Sequence, residues 1–140
     1  MSYNVLIVDD SKSMRSVIKK VLRISGFRSG EILEAENGKE ALDLLKGSWV
    51  DLILTDVHMP VMDGIEFIRR LRQEETLKDV PVLLVTTESN EERLQEAMAL
   101  GAKAYLRKPF QPEAIRALLN QILGETDGRE PEGCDEGCDF

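Results

Sequence analysis

Short apolar runs alternate along this chain with longer stretches in which apolar residues recur at helical spacing. The runs are Asn4 to Val8, Ile32 to Ala35, Val50 to Thr55, Pro81 to Thr86 and Lys103 to Leu106. None shows the strict alternation of a half-exposed strand, so they predict parallel strands covered on both faces. Pro81 opens its run, a position where a missing N–H is tolerated.

The stretches between them carry helix punctuation. Met14, Val17, Ile18, Val21 and Leu22 form one apolar stripe, and Gly26 ends it. Asn37 with Glu40, Asp63 with Glu66 and Ser89 with Glu92 match the capping box, in which the first side chain accepts a backbone N–H and the acid reaches back. Gly101 and Gly124 stand where a left-handed C-cap is wanted, and Pro112 suits a first helical turn. The order is β then α, five times over, with no sequence repeat beyond that alternation.

Such units joined by right-handed crossovers predict an α/β fold: a doubly wound, five-stranded parallel sheet with helices on both faces, flavodoxin-like. The order 2-1-3-4-5 puts the first and third strands side by side at the topological switch point, where ligands bind beyond the carboxyl ends of the strands.

Composition narrows the picture. A chain of 140 residues has room for one domain with a proper core. Its net charge of −8 is uneven, because residues 125–140 hold seven acids against the single Arg129, leaving residues 1–124 about −2. We therefore expect a folded domain over 1–124 and an acidic, disordered tail over 125–140. A nearly neutral domain lacks the basic footprint of a nucleic-acid binder. No apolar stretch is long enough to span a bilayer and the N-terminus lacks a secretory signal, so no membrane partner and a cytoplasmic location are expected. Cys134 and Cys138 lie in the tail; two ligands rarely make a metal site and a reducing compartment disfavours a disulfide, so neither role is expected.

The candidate chemistry sits at strand ends. Asp9 and Asp10 follow VLIV, Asp56 follows LILT, Lys108 follows AYLR, and Thr86 closes the fourth run. In a parallel sheet these groups meet at one mouth. Carboxylates a few ångströms apart repel by roughly 4 kcal/mol per pair at an effective dielectric near 20, so a cation is expected among them. All-oxygen donors at an open edge suit Mg²⁺ better than Zn²⁺, and the chain has one histidine. Asp56 stands alone at its strand end, and we read it as a nucleophile exposed for acyl phosphate formation, with the Asp9–Asp10 pair holding metal. Mg²⁺, the Lys108 ammonium and the Thr86 hydroxyl would neutralise the phosphoryl oxygens. For one acid the plainer reading is favoured: Asp10 or Ser11 caps the first helix and Asp56 closes a turn. For four charged groups on three strand ends, with Thr86 on a fourth, the joint coincidence argues against it.

The segments VLIVDDS, LILTDVHMPVMDG, VLLVTTES and GAKAYLRKPF resemble, in order and spacing, the successive signatures of the receiver domain of two-component response regulators, over residues 3 to about 123. The resemblance implies that Asp56 accepts phosphate from a phosphohistidine on a sensor histidine kinase. It implies that Asp10 binds Mg²⁺ directly, Asp9 mostly through water, and His58 through its backbone carbonyl. Lys108 would contact the phosphoryl group, and the Lys108–Pro109 bond would be cis. Thr86 and Tyr105 match a switch pair that alters the surface of the fourth helix, fifth strand and fifth helix. The His58 and Glu88 side chains would flank the path of an attacking water and tune hydrolysis; for His58 a solvated turn residue using only its carbonyl is the alternative.

With no effector domain after Gly124, output is expected through a partner, from a monomer. The layout most resembles the chemotaxis-type regulators, whose phosphorylated form binds the flagellar motor switch, with a phosphatase as a further partner. Two alternatives stand: a phosphorelay intermediate that passes phosphate to a histidine phosphotransfer protein, and a Mg²⁺-dependent aspartyl phosphohydrolase. The latter characteristically has two aspartates one residue apart after the first strand, whereas Asp9 and Asp10 are adjacent. No glycine-rich nucleotide loop opens a helix. Of the remaining residues, Trp49 is expected to pack over a helix end, and Met59 and Met62 to pack a loop. Lys103, Tyr105 and Arg107 share one parity on an edge strand and are read as a partner surface.

Overall fold

In a computed structural model of the chain, residues 3–87, 89–108 and 110–123 are described. Glu88, the Lys108–Pro109 bond, the Gly124 cap and the tail with Cys134 and Cys138 lie outside them. The strands are β1 (Tyr3–Val8), β2 (Ser29–Ala35), β3 (Leu52–Thr55), β4 (Val82–Thr86) and β5 (Ala104–Arg107). The helices are α1 (Lys12–Ile24), α2 (Gly38–Leu45), α3 (Gly64–Gln73), α4 (Glu91–Ala99) and α5 (Pro112–Leu123). All pairings are parallel and the order is β2-β1-β3-β4-β5, as the βα alternation predicts.

The helices divide the core in two. Leu6, Val8, Ile53, Leu84 and the apolar faces of α2, α3 and α4 make one half; Val5, Ile7, Leu54, Val85 and the faces of α1 and α5 make the other. The central strands β1, β3 and β4 feed both halves, which is why their sequences read as continuous apolar runs.

Differences from the expected boundaries are confined to one to three residues at the strand ends. β2 begins at Ser29, not Ile32, because the polar Ser29-Gly30-Glu31 segment continues the edge beyond a register shift between Tyr3 and Val5. β3 begins two residues later than Val50, Pro81 lies just outside β4, and β5 takes in Arg107 but not Lys103.

Caps follow local chemistry. Ser11 Oγ accepts the Met14 N–H at 3.1 Å and Asn37 Oδ1 accepts that of Glu40 at 2.9 Å. In the second case the Glu40 carboxylate reaches past Asn37 to the Glu36 N–H at 2.7 Å. Gly26 and Gly101, at φ 84° and 111°, turn the chain out of α1 and α4, and the following N–H groups of Phe27 and Ala102 donate back to Leu22 and Ala97. Ser89 is not the cap of α4. The helix starts at Glu91, so Asn90 takes that place and its Oδ1 accepts the Glu92 N–H at 2.9 Å.

Two packing expectations are corrected. Val17 is 46% exposed, while Arg15 on the same helix is 7% exposed, so the buried face of α1 is centred on Arg15, Ile18 and Leu22 rather than on the whole apolar stripe. Trp49 is not the packed residue expected. It is 60% exposed, and its indole N–H donates to Asp51 Oδ1 at 3.1 Å. Met59 and Met62 do pack against the core beside α2 and α3.

Candidate functional site

β1, β3 and β5 end at one edge of the sheet, and each delivers a charged group there. Asp9, Asp10 and Asp56 each offer a carboxylate oxygen, and these oxygens lie within 4.8 Å of one another. Lys108, one residue past β5, reaches Asp9 Oδ2 at 2.8 Å and Asp56 Oδ2 at 3.4 Å. The four groups read from strand ends therefore do converge. One ammonium facing three carboxylates leaves net negative charge, and the donors are all hard oxygens, so the cluster fits a hard divalent cation.

The three acids differ in freedom. Asp9 is buried and both of its carboxylate oxygens are engaged, Oδ1 by the Ser11 N–H at 2.9 Å and Oδ2 by Lys108. Asp10 is exposed. Asp56, expected to be exposed, is only 8% so. Its Oδ1 accepts the Val57 N–H at 2.6 Å and lies 3.4 Å from that of His58, closing the turn after β3 and leaving Oδ2 toward Lys108. The plainer role of a turn-closing aspartate and the candidate chemistry thus coexist in one side chain.

The depth of Asp56 comes from α3. The Gly64 N–H donates to the Val57 carbonyl at 2.8 Å, and a β-carbon at Gly64 would stand 2.2 Å from the Asp56 carbonyl oxygen. Only glycine lets the helix start press so closely on the turn. Asp63 caps that helix by accepting the Glu66 N–H at 2.9 Å, while Glu66 pairs with Arg69 and Arg70 instead of reaching back.

Thr86 is fully buried at the end of β4. Tyr105 is half-buried, pairs in register with Leu84, and packs against the α2–α3–α4 half of the core. Arg107, of the same parity, is exposed; its guanidinium lies 6.0 Å from the Tyr105 ring centroid and 3.5 Å from Glu91 of α4. The His58 side chain is exposed at the mouth.

Sequence reading overlooked Arg15. It sits in the first turns of α1 among the residues of the apolar stripe, and its Nη1 donates to the Asp9 carbonyl at 2.6 Å. Its Nε donates to Glu34 Oε1 on β2 at 2.9 Å, and Lys19 donates to Glu34 Oε2 at 2.7 Å. Hydrogen bonds from Lys19 and then Arg15 hold the Glu34 carboxyl below its usual value. The missed signal is a spacing: Arg15 and Lys19 are one helical turn apart, with one acid available to both on the neighbouring strand.

Comparison with known proteins agrees with this geometry. The family model described as response regulator receiver domain matches residues 5–120. A chemotaxis protein CheY homolog of Campylobacter jejuni is 39% identical over 125 residues, covering 89% of this chain and 95% of that protein. The structure of chemotaxis response regulator CheY4 of Vibrio cholerae superposes with a TM-score of 0.77 at 39% identity, covering 88% of this chain and all of that one. The receiver domain of a sensor histidine kinase of Pseudomonas aeruginosa, solved with a magnesium ion coordinated in its active-site cleft, superposes at 0.76 with 27% identity, covering 89% and 99%. Extending over residues 5–120 and over most of each relative, this likeness makes the chain a member of the response regulator receiver domain family.

Proposed function

We propose that this receiver domain is a phosphoacceptor in which Asp56 takes a phosphoryl group from a sensor histidine kinase in a Mg²⁺-dependent reaction and thereby changes a partner-binding surface. The observation that carries the proposal is the placement of Lys108 Nζ between Asp9 Oδ2 and Asp56 Oδ2, with three carboxylate oxygens within 4.8 Å.

Asp10, Asp56 and the His58 carbonyl would hold Mg²⁺, with Asp9 acting through water because its oxygens already serve Ser11 and Lys108. When bound, the ion supplies charge neutralisation at the phosphoryl oxygens. The chain's own residues do the rest. The Val57 N–H fixes Asp56 by one oxygen, so the other is the attacking atom. Lys108 turns its ammonium from the carboxylates to the incoming phosphoryl oxygens, and Thr86 brings its hydroxyl from the end of the adjacent strand. Tyr105, two positions before Arg107, then settles further into the α4 side and alters the face formed by α4, β5 and α5. His58 and Glu88 tune hydrolysis. The relatives named chemotaxis proteins support chemotaxis output, with the flagellar motor switch as target. We place the receiver within residues 1–124.

Incubation with acetyl phosphate and Mg²⁺, followed by intact mass, tests the central claim. A single phosphoryl adduct, absent in Asp56→Asn and without Mg²⁺, is expected; many turnovers with no adduct would support a phosphohydrolase instead. Likeness to a receiver carried by a histidine kinase favours one second reading, a phosphorelay intermediate. Transfer of label from phosphorylated protein to a histidine phosphotransfer protein, rather than phosphorylation-dependent binding to a motor-switch protein, would select it.

A further inference from the structure

We infer that Arg15 is a positioning residue for the acidic cluster: by holding the Asp9 carbonyl it fixes the Asp9–Asp10 peptide and so aims Asp10 at the cation, while Glu34 and Lys19 hold Arg15 in place. The inference rests on the reading of that cluster as a Mg²⁺ site.

β1 ends at Val8, so the Asp9 carbonyl stands just past the strand, and Arg15 Nη1 takes it at 2.6 Å. A guanidinium that is 7% exposed is costly unless paired, and both of its bonds are specific, one to this carbonyl and one to Glu34. Asp9 is then held at three points: its carbonyl by Arg15, Oδ1 by the Ser11 N–H and Oδ2 by Lys108. Asp10 is exposed and its side chain has no hydrogen-bond or ion-pair partner among the described residues, so the backbone that precedes it sets its direction. The peptide plane that Arg15 grips is the one joining the two acids.

Glu34 has a second task. A guanidinium with a free edge beside three carboxylates would pair with them and take the place of a cation. Glu34, itself bridged to Lys19 at 2.7 Å, draws the Nε edge of Arg15 toward β2 and away from Asp10. Only a planar fork reaches both acceptors at once; a lysine at position 15 would satisfy one of them.

The test is Mg²⁺ affinity of the unphosphorylated full-length protein, followed by calorimetry and by amide shifts of Asp10, Val57 and His58, in Arg15→Met, Arg15→Lys and Glu34→Gln. The Met variant is expected to weaken Mg²⁺ binding by about tenfold or more, as loss of outer-shell partners does, with partial recovery in Arg15→Lys and an intermediate loss in Glu34→Gln. Val80→Ala, a core truncation just before β4 at the opposite edge of the sheet, controls for stability: it should lower the thermal midpoint and leave Mg²⁺ affinity unchanged. Folded variants that bind Mg²⁺ like wild type overturn the inference and leave the proposed site intact. If Arg15→Met does not fold, the other two variants decide on the same criterion. A wild type with no Mg²⁺ affinity, or an Asp10→Asn variant that binds as wild type does, overturns the site reading itself.

Discussion

Gly64 shows how one missing methyl group shapes the site. A β-carbon there would meet the Asp56 carbonyl oxygen at 2.2 Å and the Val57 α-carbon at 2.9 Å, both backbone atoms that cannot swing aside. Gly64→Ala is therefore expected to cost about 1–3 kcal/mol, the range for overpacking, read as a lower urea midpoint with an unchanged slope. Because the displaced backbone is that of Asp56, phosphorylation by acetyl phosphate should slow as well. A midpoint equal to wild type would show that the start of α3 can retreat without loss. Arg15 makes the complementary point about what residues reveal on their own. Asp9, Asp10, Asp56 and Lys108 were legible because strand ends in a parallel sheet converge whatever their side chains do. Arg15 was not, since an arginine inside an apolar helical stretch reads as a solvated interruption, and only Glu34 on the neighbouring strand shows why it is buried.

At the scale of the element, the two neighbouring candidates for the α4 cap separate cleanly. Asn90→Ala should destabilise by about 1 kcal/mol while Ser89→Ala changes little, because only Asn90 Oδ1 accepts the Glu92 N–H. Equal losses in thermal denaturation would reverse that assignment. The link between α1 and β2 is sensitive to acid. Hydrogen bonds from Lys19 and Arg15 depress the folded-state pKa of Glu34 below the ordinary value of 4.5, so its contribution is full above that value and is lost as pH falls through the folded value. The stability gap between wild type and Glu34→Gln should then be widest near neutrality and shrink below about pH 4.5; a gap independent of pH would remove the ionic part of the link. The central strands were legible because burial on both faces leaves continuous apolar runs. The edge strand β2 was placed least accurately, since Ser29, Gly30 and Glu31 are exposed and obey no such pattern; Val50, buried yet outside β3, shows that burial alone does not mark where strand pairing starts.

For the molecule as a whole, the arrangement of charge sets stability against use. Three carboxylates with oxygens within 4.8 Å of one another and one ammonium leave repulsion that the proposed cation would relieve. In a chelator, Asp10→Asn should unfold at a higher temperature than wild type, and the difference should close or invert when Mg²⁺ is added. The same order of midpoints in both buffers would mean that Lys108 already compensates the cluster. Sequence alone misjudged the depth of this site: Asp56 was expected to be exposed, but its depth depends on how closely α3 approaches, a tertiary distance that no local pattern encodes. Trp49, the only tryptophan in the chain, has a practical consequence of its own. It precedes β3 at the end opposite Asp56, roughly 20 Å away at the rise of a strand, with its ring largely in water. Tryptophan fluorescence is thus expected to respond little to events at the acids, and a tryptophan probe of metal loading or modification has to be engineered beside them.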